Sequence, residues 1–516
     1  MNLKIQNILL ITFQLKSTII GILILFFICV DFQVQAQDGQ QIQIIHANSL
    51  TGIETPYAKY RKLIGNVQLE HSGVNMFCDS AYDYTERDFF EAYGHIRVIQ
   101  GDSLTLEGKF LHYDLKEKTA HITGDVKLSD GRMVLSTDKI IYNLKTKTAY
   151  YDNKARIVDS TNVLVSDRGH YYAGKKNMVF RGNVKLTNPD NTLSCDSMRY
   201  NTGNRTTYFL SPTKIIGKKI SVYCEGGWYN TVTKISEFTD HAWINSENQT
   251  ISGDILHYEL KKGYGLAKGH VSLFDSNEKV LVTGKVAEHF KFKKISLITD
   301  SALMIKYMSD DTLYIHADTL KVENQAKGDT LIFKAFHNAI SYSRQMSYKA
   351  DSIVYSGSDS TIYFYRKPVI WTGNNQITAK HIKVFLKNKK IDHVYLDEDA
   401  FIIGKKDSMR YDQIKGRTML GYFENNALKK VAVTGNAEAI YYLLDDYQKY
   451  IGMNKIESSY INIFMDNKKI TGITFINTPT GNVISPKEMA SPDSRLKGFN
   501  WRGKEKPESI GDLFNK

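Results

Sequence analysis

A chain of 516 residues with 42% hydrophobic and 12% aromatic side chains can bury a sizeable core, which excludes an intrinsically disordered polymer. Eight Pro, 35 Gly and four Cys exclude collagen-like sequence, Pro-rich low complexity and a disulfide-dense scaffold. Lys and Arg exceed Asp and Glu by 67 to 55, a formal net charge of +12, which points to an anionic partner: nucleic acid, a membrane surface or anionic lipid.

The N-terminus narrows that choice. Lys4 and Lys16 precede an uninterrupted apolar or small stretch from Ile19 to Val30, and Val34-Gln35-Ala36 ends in a small-residue cleavage pattern. Residues 1–36 therefore read as a secretory signal peptide. The alternative is a retained membrane anchor, but Lys16 splits the apolar run and the stretch from Ile19 to Val30 is too short to span a bilayer. Bulky Phe27 and Ile28 before Cys29 argue against a lipoprotein site. Export sets nucleic acid aside as a partner. The mature chain keeps its basic character and three cysteines, Cys78, Cys195 and Cys224, which allow at most one internal disulfide.

From residue 65 onward the chain is dominated by an internal repeat. One segment is a short polar tip followed by alternating apolar residues, as in Gly65-Asn66-Val67-Gln68-Leu69, Gly94-His95-Ile96-Arg97-Val98, Gly124-Asp125-Val126-Lys127-Leu128, Gly182-Asn183-Val184-Lys185-Leu186 and Gly269-His270-Val271-Ser272-Leu273. The tip supplies a turn and the period-2 alternation is that of a half-buried strand. Degenerate copies at Asn153-Lys154-Ala155 and Asp240-His241-Ala242 fill the gaps in register.

A second segment comes after each first one and carries a marker residue: Asp79, Lys109, Asp138, Asp167, Asp196, Glu225, Asp254, Lys285, Asp318, Asp351, Lys380 and Asp407. The spacing is about 29 residues and loosens after residue 285. Three residues before the marker the chain is apolar (Met76, Leu106, Leu135, Leu164, Leu193), two after it is usually apolar again, and four after it comes Tyr113, Tyr142, Tyr171, Tyr200, Tyr229, Tyr258, Tyr355 or Tyr411. Positions five apart cannot share one face of a regular strand, so the phase must break at the marker. A bulge or sharp corner, with the Asp side chain capping local backbone N–H groups, is the economical expectation. Each unit reads as about three short strands with a corner.

No sustained helical periodicity is present, so the fold class is all-β. The expected organisation is a signal peptide (1–36), N-terminal repeats (37–290), a second repeat region (291–475) and a C-terminal tail (476–516), extended because of Pro479, Pro486, Pro492 and Pro507. Hydrolase, metalloprotease, P-loop and Cys-x-x-Cys signatures are absent, and Gly263 to Gly269 reads as a turn; the expectation is no catalytic residue, no metal site and no cofactor. The Asp ladder as a Ca²⁺ site is defeated by Lys109, Lys285 and Lys380. His112, His170 and His257 read as exposed strand residues, and the three cysteines, each just before a marker, as free thiols in a tight corner.

The Gly-Asn-Val-x-Leu and Cys-Asp-Ser-x-x-Tyr copies, together with Cys224 to Tyr229, Asn454 to Ser459 and Lys497 to Arg502, resemble the OstA-like (LptA) family of lipopolysaccharide transport. The likeness covers roughly residues 41 to 502. It implies an elongated β-jellyroll, here of about twelve repeats, with an open apolar groove that holds the acyl chains of lipid A. It also implies a non-catalytic periplasmic protein, with an outer-membrane association open to it, whose partners are lipopolysaccharide, other lipopolysaccharide-transport proteins at the inner and outer membranes, and further copies of itself end to end. Under that reading the groove-lining residues are Val67, Leu69, Ile96, Val98, Val126, Leu128, Val184, Leu186, Val271 and Leu273. The alternative is a secreted structural or polysaccharide-binding β-solenoid with a filled lumen.

Overall fold

The computed structural model describes residues 42–485 and 494–515, except 58, 72, 101–103, 130, 132, 325–330, 389, 448 and 467–468. The signal-peptide expectation lies outside the described residues. The described chain is all-β apart from single 3₁₀ turns, and its strands pair antiparallel.

The repeat is a bent hairpin. In one example the strand Thr119–Ser129 pairs with Val134–Asn143, and the register runs Thr123↔Lys139 and then Val126↔Thr137, so Gly124 and Asp125 together oppose the single residue Asp138. Two residues against one is a bulge. Both residues of the tip have positive φ, +85° at Gly124 and +50° at Asp125, and this turns the strand through a corner. The expected phase break is present: Leu135 and Ile140, five apart, are each 5% exposed, and Leu193 and Met198 are 4% and 2%.

The corner divides each hairpin into two arms, here called the Val arm (Val126, Leu128) and the Tyr arm (Tyr113, Tyr171). Their inward faces meet, since one small cavity is lined by Leu135 and Ile157 from Val arms and by Ile140, Met178 and Phe180 from Tyr arms. A repeat is thus two bent strands rather than three short ones. Where the corner severs the ladder, it becomes four: Thr148–Tyr151, Ala155–Val158, Val163–Ser166 and Arg168–Tyr172.

The marker side chain does not cap backbone N–H groups as expected. It reaches across to the tip of the next strand: Asp79 Oδ2 lies 2.7 Å from His95 Nδ1, Asp167 Oδ2 accepts from Asn183 Nδ2 at 2.7 Å, and Asp318 Oδ2 accepts from Asn338 Nδ2 at 3.0 Å. Where the marker is Lys109 or Lys380, the tip residue is acidic. Lys109 pairs with Asp125, and Lys380 Nζ donates to Glu398 at 2.7 Å. These two lysines are therefore charge reversals of the same contact. The last assigned marker needs correction. Asp407 sits in a turn, where its carboxylate accepts from the backbone N–H groups of Met409 and Arg410 at 2.9 Å. The residue opposite the next corners is Arg417, because the hairpin there is longer and shifts the period.

The chain divides into two compact units, one of residues up to Glu247 with Gly253–Lys262, the other of Asn248–Ser252 with the chain from Gly263 onward.

The tail is not extended in solvent. Within the C-terminal unit, residues 494–515 run back across the outer face of the Val arm, against chain order. Two fully buried glutamines grip its backbone. Gln413 Nε2 donates to the Ser494 carbonyl at 2.8 Å and its Oε1 accepts from Leu496 N–H at 2.9 Å. Gln376 does the same with the Asn500 carbonyl (2.8 Å) and Arg502 N–H (2.6 Å). Leu496 joins Phe401, Ile403, Ile440 and Met453, while Leu513 packs on Leu303 and Ile340. Arg495 lies over the rings of Tyr411 (4.7 Å) and Phe499 (4.5 Å). A Pro-rich segment reads as extended, yet its apolar residues have a matching stripe to cover.

The corner and the tail can each be tested by substitution. At Gly182, with φ of +74°, an added Cβ would lie 2.7 Å from Asp167 Oδ2, whereas at Gly131 (φ +81°) nothing lies within 4 Å. Gly182→Ala should cost about 2–3 kcal/mol and Gly131→Ala about 1, read from urea unfolding, because the first adds a clash to the backbone strain. Replacing Gln376 and Gln413 together by Leu should release residues 494–502, speeding amide exchange at Leu496 and Arg502 at least tenfold, at a cost of roughly 1–3 kcal/mol per unpaired site.

Candidate functional site

The interior begins with the Val arm. On the strands from Lys59–His71 to Ile235–Ser246, the inward residue three after each tip directly opposes the residue three before each marker, in the order Leu69↔Met76↔Val98↔Leu106↔Leu128↔Leu135. The row continues without interruption through Ile157, Leu164, Leu186 and Leu193 to Val222 and Ile244. Every position in it is apolar because a 29-residue repeat returns the same register to the same face on every hairpin.

Nine of the ten sequence-predicted lining residues are buried: Val67, Ile96, Val126, Val184, Val271 and Leu273 at 2% exposure or less, Leu69, Leu128 and Leu186 at 4–5%; Val98 is half-buried. Val67 to Leu186 belong to the N-terminal unit, Val271 and Leu273 to the C-terminal unit. The other half of the row, at the positions three before each marker, was visible in the sequence as an apolar position. That it stands directly opposite the Gly-x-Val-x-Leu residues needed the register.

Between the arms of the N-terminal unit lies an apolar cavity of about 40 Å³, whose wall includes Met133, Leu135, Ile157, Met178 and Phe180. Tyr151 and Tyr171 complete that wall, and the repeat tyrosines are buried along the Tyr arms. Tyr113, Tyr171, Tyr200, Tyr229 and Tyr258 are 8% exposed or less. The Tyr151 hydroxyl and Ser166 Oγ are hydrogen-bonded at 2.7 Å, and burial pushes the Tyr151 phenol up to about 12.

The thiols are free and electrostatically quiet. Burial raises Cys78 and Cys224 to about 12 and Cys195 to about 11, so all three stay protonated at neutral pH. His112, His170 and His257 lie on the outward face and are half-buried, with His112 Nδ1 3.3 Å from Glu91 and His257 Nδ1 3.4 Å from Glu237. Among the described residues no group of three His, Cys, Asp or Glu side chains is placed to hold a metal ion.

His289 stands in the C-terminal unit where other copies carry the repeat Tyr. It is fully buried, with Nδ1 3.0 Å from Ser296 Oγ and Nε2 without a partner. Burial pushes its imidazole down to about 4, with Lys291 acting in the same direction.

Residues 39–196 and 183–254 match the OstA-like protein family, in two overlapping stretches as a repeat would produce. Over these residues the chain is similar to that family. The OstA-like stretch holds the corners from Gly65 to His241 and almost the whole apolar row. No curated protein matches the chain. Among solved structures, similarity extends to LptH of Pseudomonas aeruginosa, described as the LptA homologous periplasmic component of the conserved lipopolysaccharide transport device. The identity is 18%, over 25% of this chain and 76% of that one, with a TM-score of 0.13.

The buried histidine makes stability depend on pH. Its pKa is lower folded than unfolded, so its contribution is complete above about 6.5 and is lost as pH falls towards 4. Lowering the pH from 7 to 4.5 should cost wild type about 2 kcal/mol more than it costs His289→Leu, read from the difference in urea midpoints.

Proposed function

We propose that this protein binds lipopolysaccharide in the periplasm and carries it toward the outer membrane, holding acyl chains between the Val and Tyr arms without catalysing a reaction. The observation that carries this reading is the uninterrupted apolar row across the N-terminal unit. A row of this kind offers one lengthwise surface to extended hydrocarbon. Burial contributes about 0.8 kcal/mol per CH₂, so chains of a dozen carbons gain enough to leave a bilayer for such a surface. Similarity to the OstA-like family over the same residues agrees with it.

The arms touch in this structure, so acyl chains would enter by parting them. The corner is the natural hinge, because the strand ladder is already interrupted there. The two methionines beside the cavity, Met133 and Met178, are side chains that repack at low cost. Partners at the inner and outer membranes, and end-to-end association of further copies, belong to the same proposal.

A second reading, a structural solenoid with a filled lumen, is favoured by the low exposure of the lining residues. The two are separated by photo-crosslinking. With p-benzoyl-phenylalanine at Val126, Val184 or Leu273, lipopolysaccharide should be captured, while at the exposed Lys116 or Lys145, outside the interior, capture should be at least tenfold weaker. Equal capture at both sets of positions would make binding a surface effect, and capture at neither would leave the filled solenoid.

A further inference from the structure

The outer face of the Val arm carries a second row, one residue away from the apolar one on each strand. In the N-terminal unit it contains Arg97, Lys127, Arg156, Lys185 and Lys214, one cation per repeat, all exposed. The register places them on a single line. Arg97 and Lys127 both oppose Glu107, Lys127 and Arg156 both oppose Ser136, Arg156 and Lys185 both oppose Val165, and Lys185 and Lys214 both oppose Ser194. A cation on every second strand gives a spacing of about 10 Å and a run of roughly 40 Å.

The line ends in aromatic surface on both sides. The Arg97 guanidinium lies 5.2 Å from the Phe77 ring, and Lys214 opposes Tyr223, whose ring stacks on Trp243 at 5.8 Å and 16°. Among the described residues none of the five cations has a carboxylate within 4 Å, whereas Lys109, Lys218 and Lys262 each pair with one. The positions between them are small or neutral except Glu107. The fold gains nothing from five like charges on one line, and the same face of the C-terminal unit takes the opposite solution: there it is apolar, at Leu303, Ile340 and Phe401, and lies beneath the chain's own tail.

We propose that this row is a binding surface for an extended anionic polysaccharide. A linear charge array fits a linear polyanion better than a plane of lipid headgroups, because the neighbouring corner ridge carries carboxylates, among them Asp79, Asp167 and Asp196, that repel an anionic surface. The flat Tyr223–Trp243 pair offers a stacking face for a sugar ring. The inference is independent of what the interior holds, since the row faces away from it.

The test uses the full chain and polygalacturonate as probe, with neutral dextran and phosphatidylglycerol vesicles alongside. Polygalacturonate should bind, with affinity falling steeply as salt rises. Changing Arg97, Lys127, Arg156, Lys185 and Lys214 together to Gln should weaken it at least 50-fold. Changing five exposed lysines off the row (Lys116, Lys145, Lys175, Lys261, Lys293) to Gln should weaken it less than fivefold. Equal loss in both variants would reduce the effect to net charge and overturn the proposal. So would failure to bind polygalacturonate, equal binding of dextran, or tighter binding of the vesicles, the last assigning the row to a membrane surface instead. Because the ten side chains are exposed, unchanged urea midpoints confirm that folding is not the variable.

Discussion

Two consecutive residues with positive φ, set against one residue of the neighbouring strand, are the constraint on which the rest of the structure depends. At Gly124-Asp125 the extra residue bends its own strand, where Ile122 and Val126 stay on one face, while the partner strand, one residue shorter across the corner, exchanges inside and outside between Leu135 and Ile140. A straight strand with the same sequence would put Leu135 and Ile140 on opposite faces. With the corner both point inward, and two arms acquire a shared interior. The contact that locks the corner is made across strands, from the marker side chain to the next tip. Its chemistry is exchangeable, as Asp with Asn, Asp with His, or Lys with Asp, provided that the pair stays complementary.

The period of two then fixes everything on the Val arm. Each strand offers one side chain to the interior and the next to the outside, so the apolar row and the cationic row are consequences of one register. The interior row is apolar throughout the N-terminal unit and carries a buried Ser341 in the C-terminal one. The outer faces differ more: the N-terminal unit leaves this face charged and exposed, and the C-terminal unit makes it apolar and covers it with residues 494–515. Gln376 and Gln413 mark the difference. A buried amide in an apolar row is costly unless both its groups are paired, and the tail's backbone supplies both partners.

Closed arms and an apolar interior are compatible with a lipid carrier when opening is inexpensive. The corners already forgo ladder hydrogen bonds, so rotation about them breaks few further ones, and the work of opening is chiefly the separation of apolar faces. Under the proposed function, acyl chains would restore that contact. The groups beside this interior carry no charge near pH 7, since Cys78 and Cys224 stay protonated and His289 stays neutral.

The all-β class, the repeat length, the phase break at the marker and the identity of nearly every inward residue are legible in the amino-acid order alone, because alternation and a fixed period are local and additive. So are the outward cations, as the residue after Val in Gly-Asn-Val-Lys-Leu. Which residues stand opposite one another is not. The pairing of Lys109 with Asp125, the alignment of Arg97 to Lys214 on one line, and the shift from Asp407 to Arg417 all depend on register between strands, which one strand's pattern does not contain. The tail departs from its expected extended state for the same reason. Prolines and charge describe a segment's own preferences, whereas Leu496 and Leu513 are buried by an apolar stripe that only the folded C-terminal unit assembles.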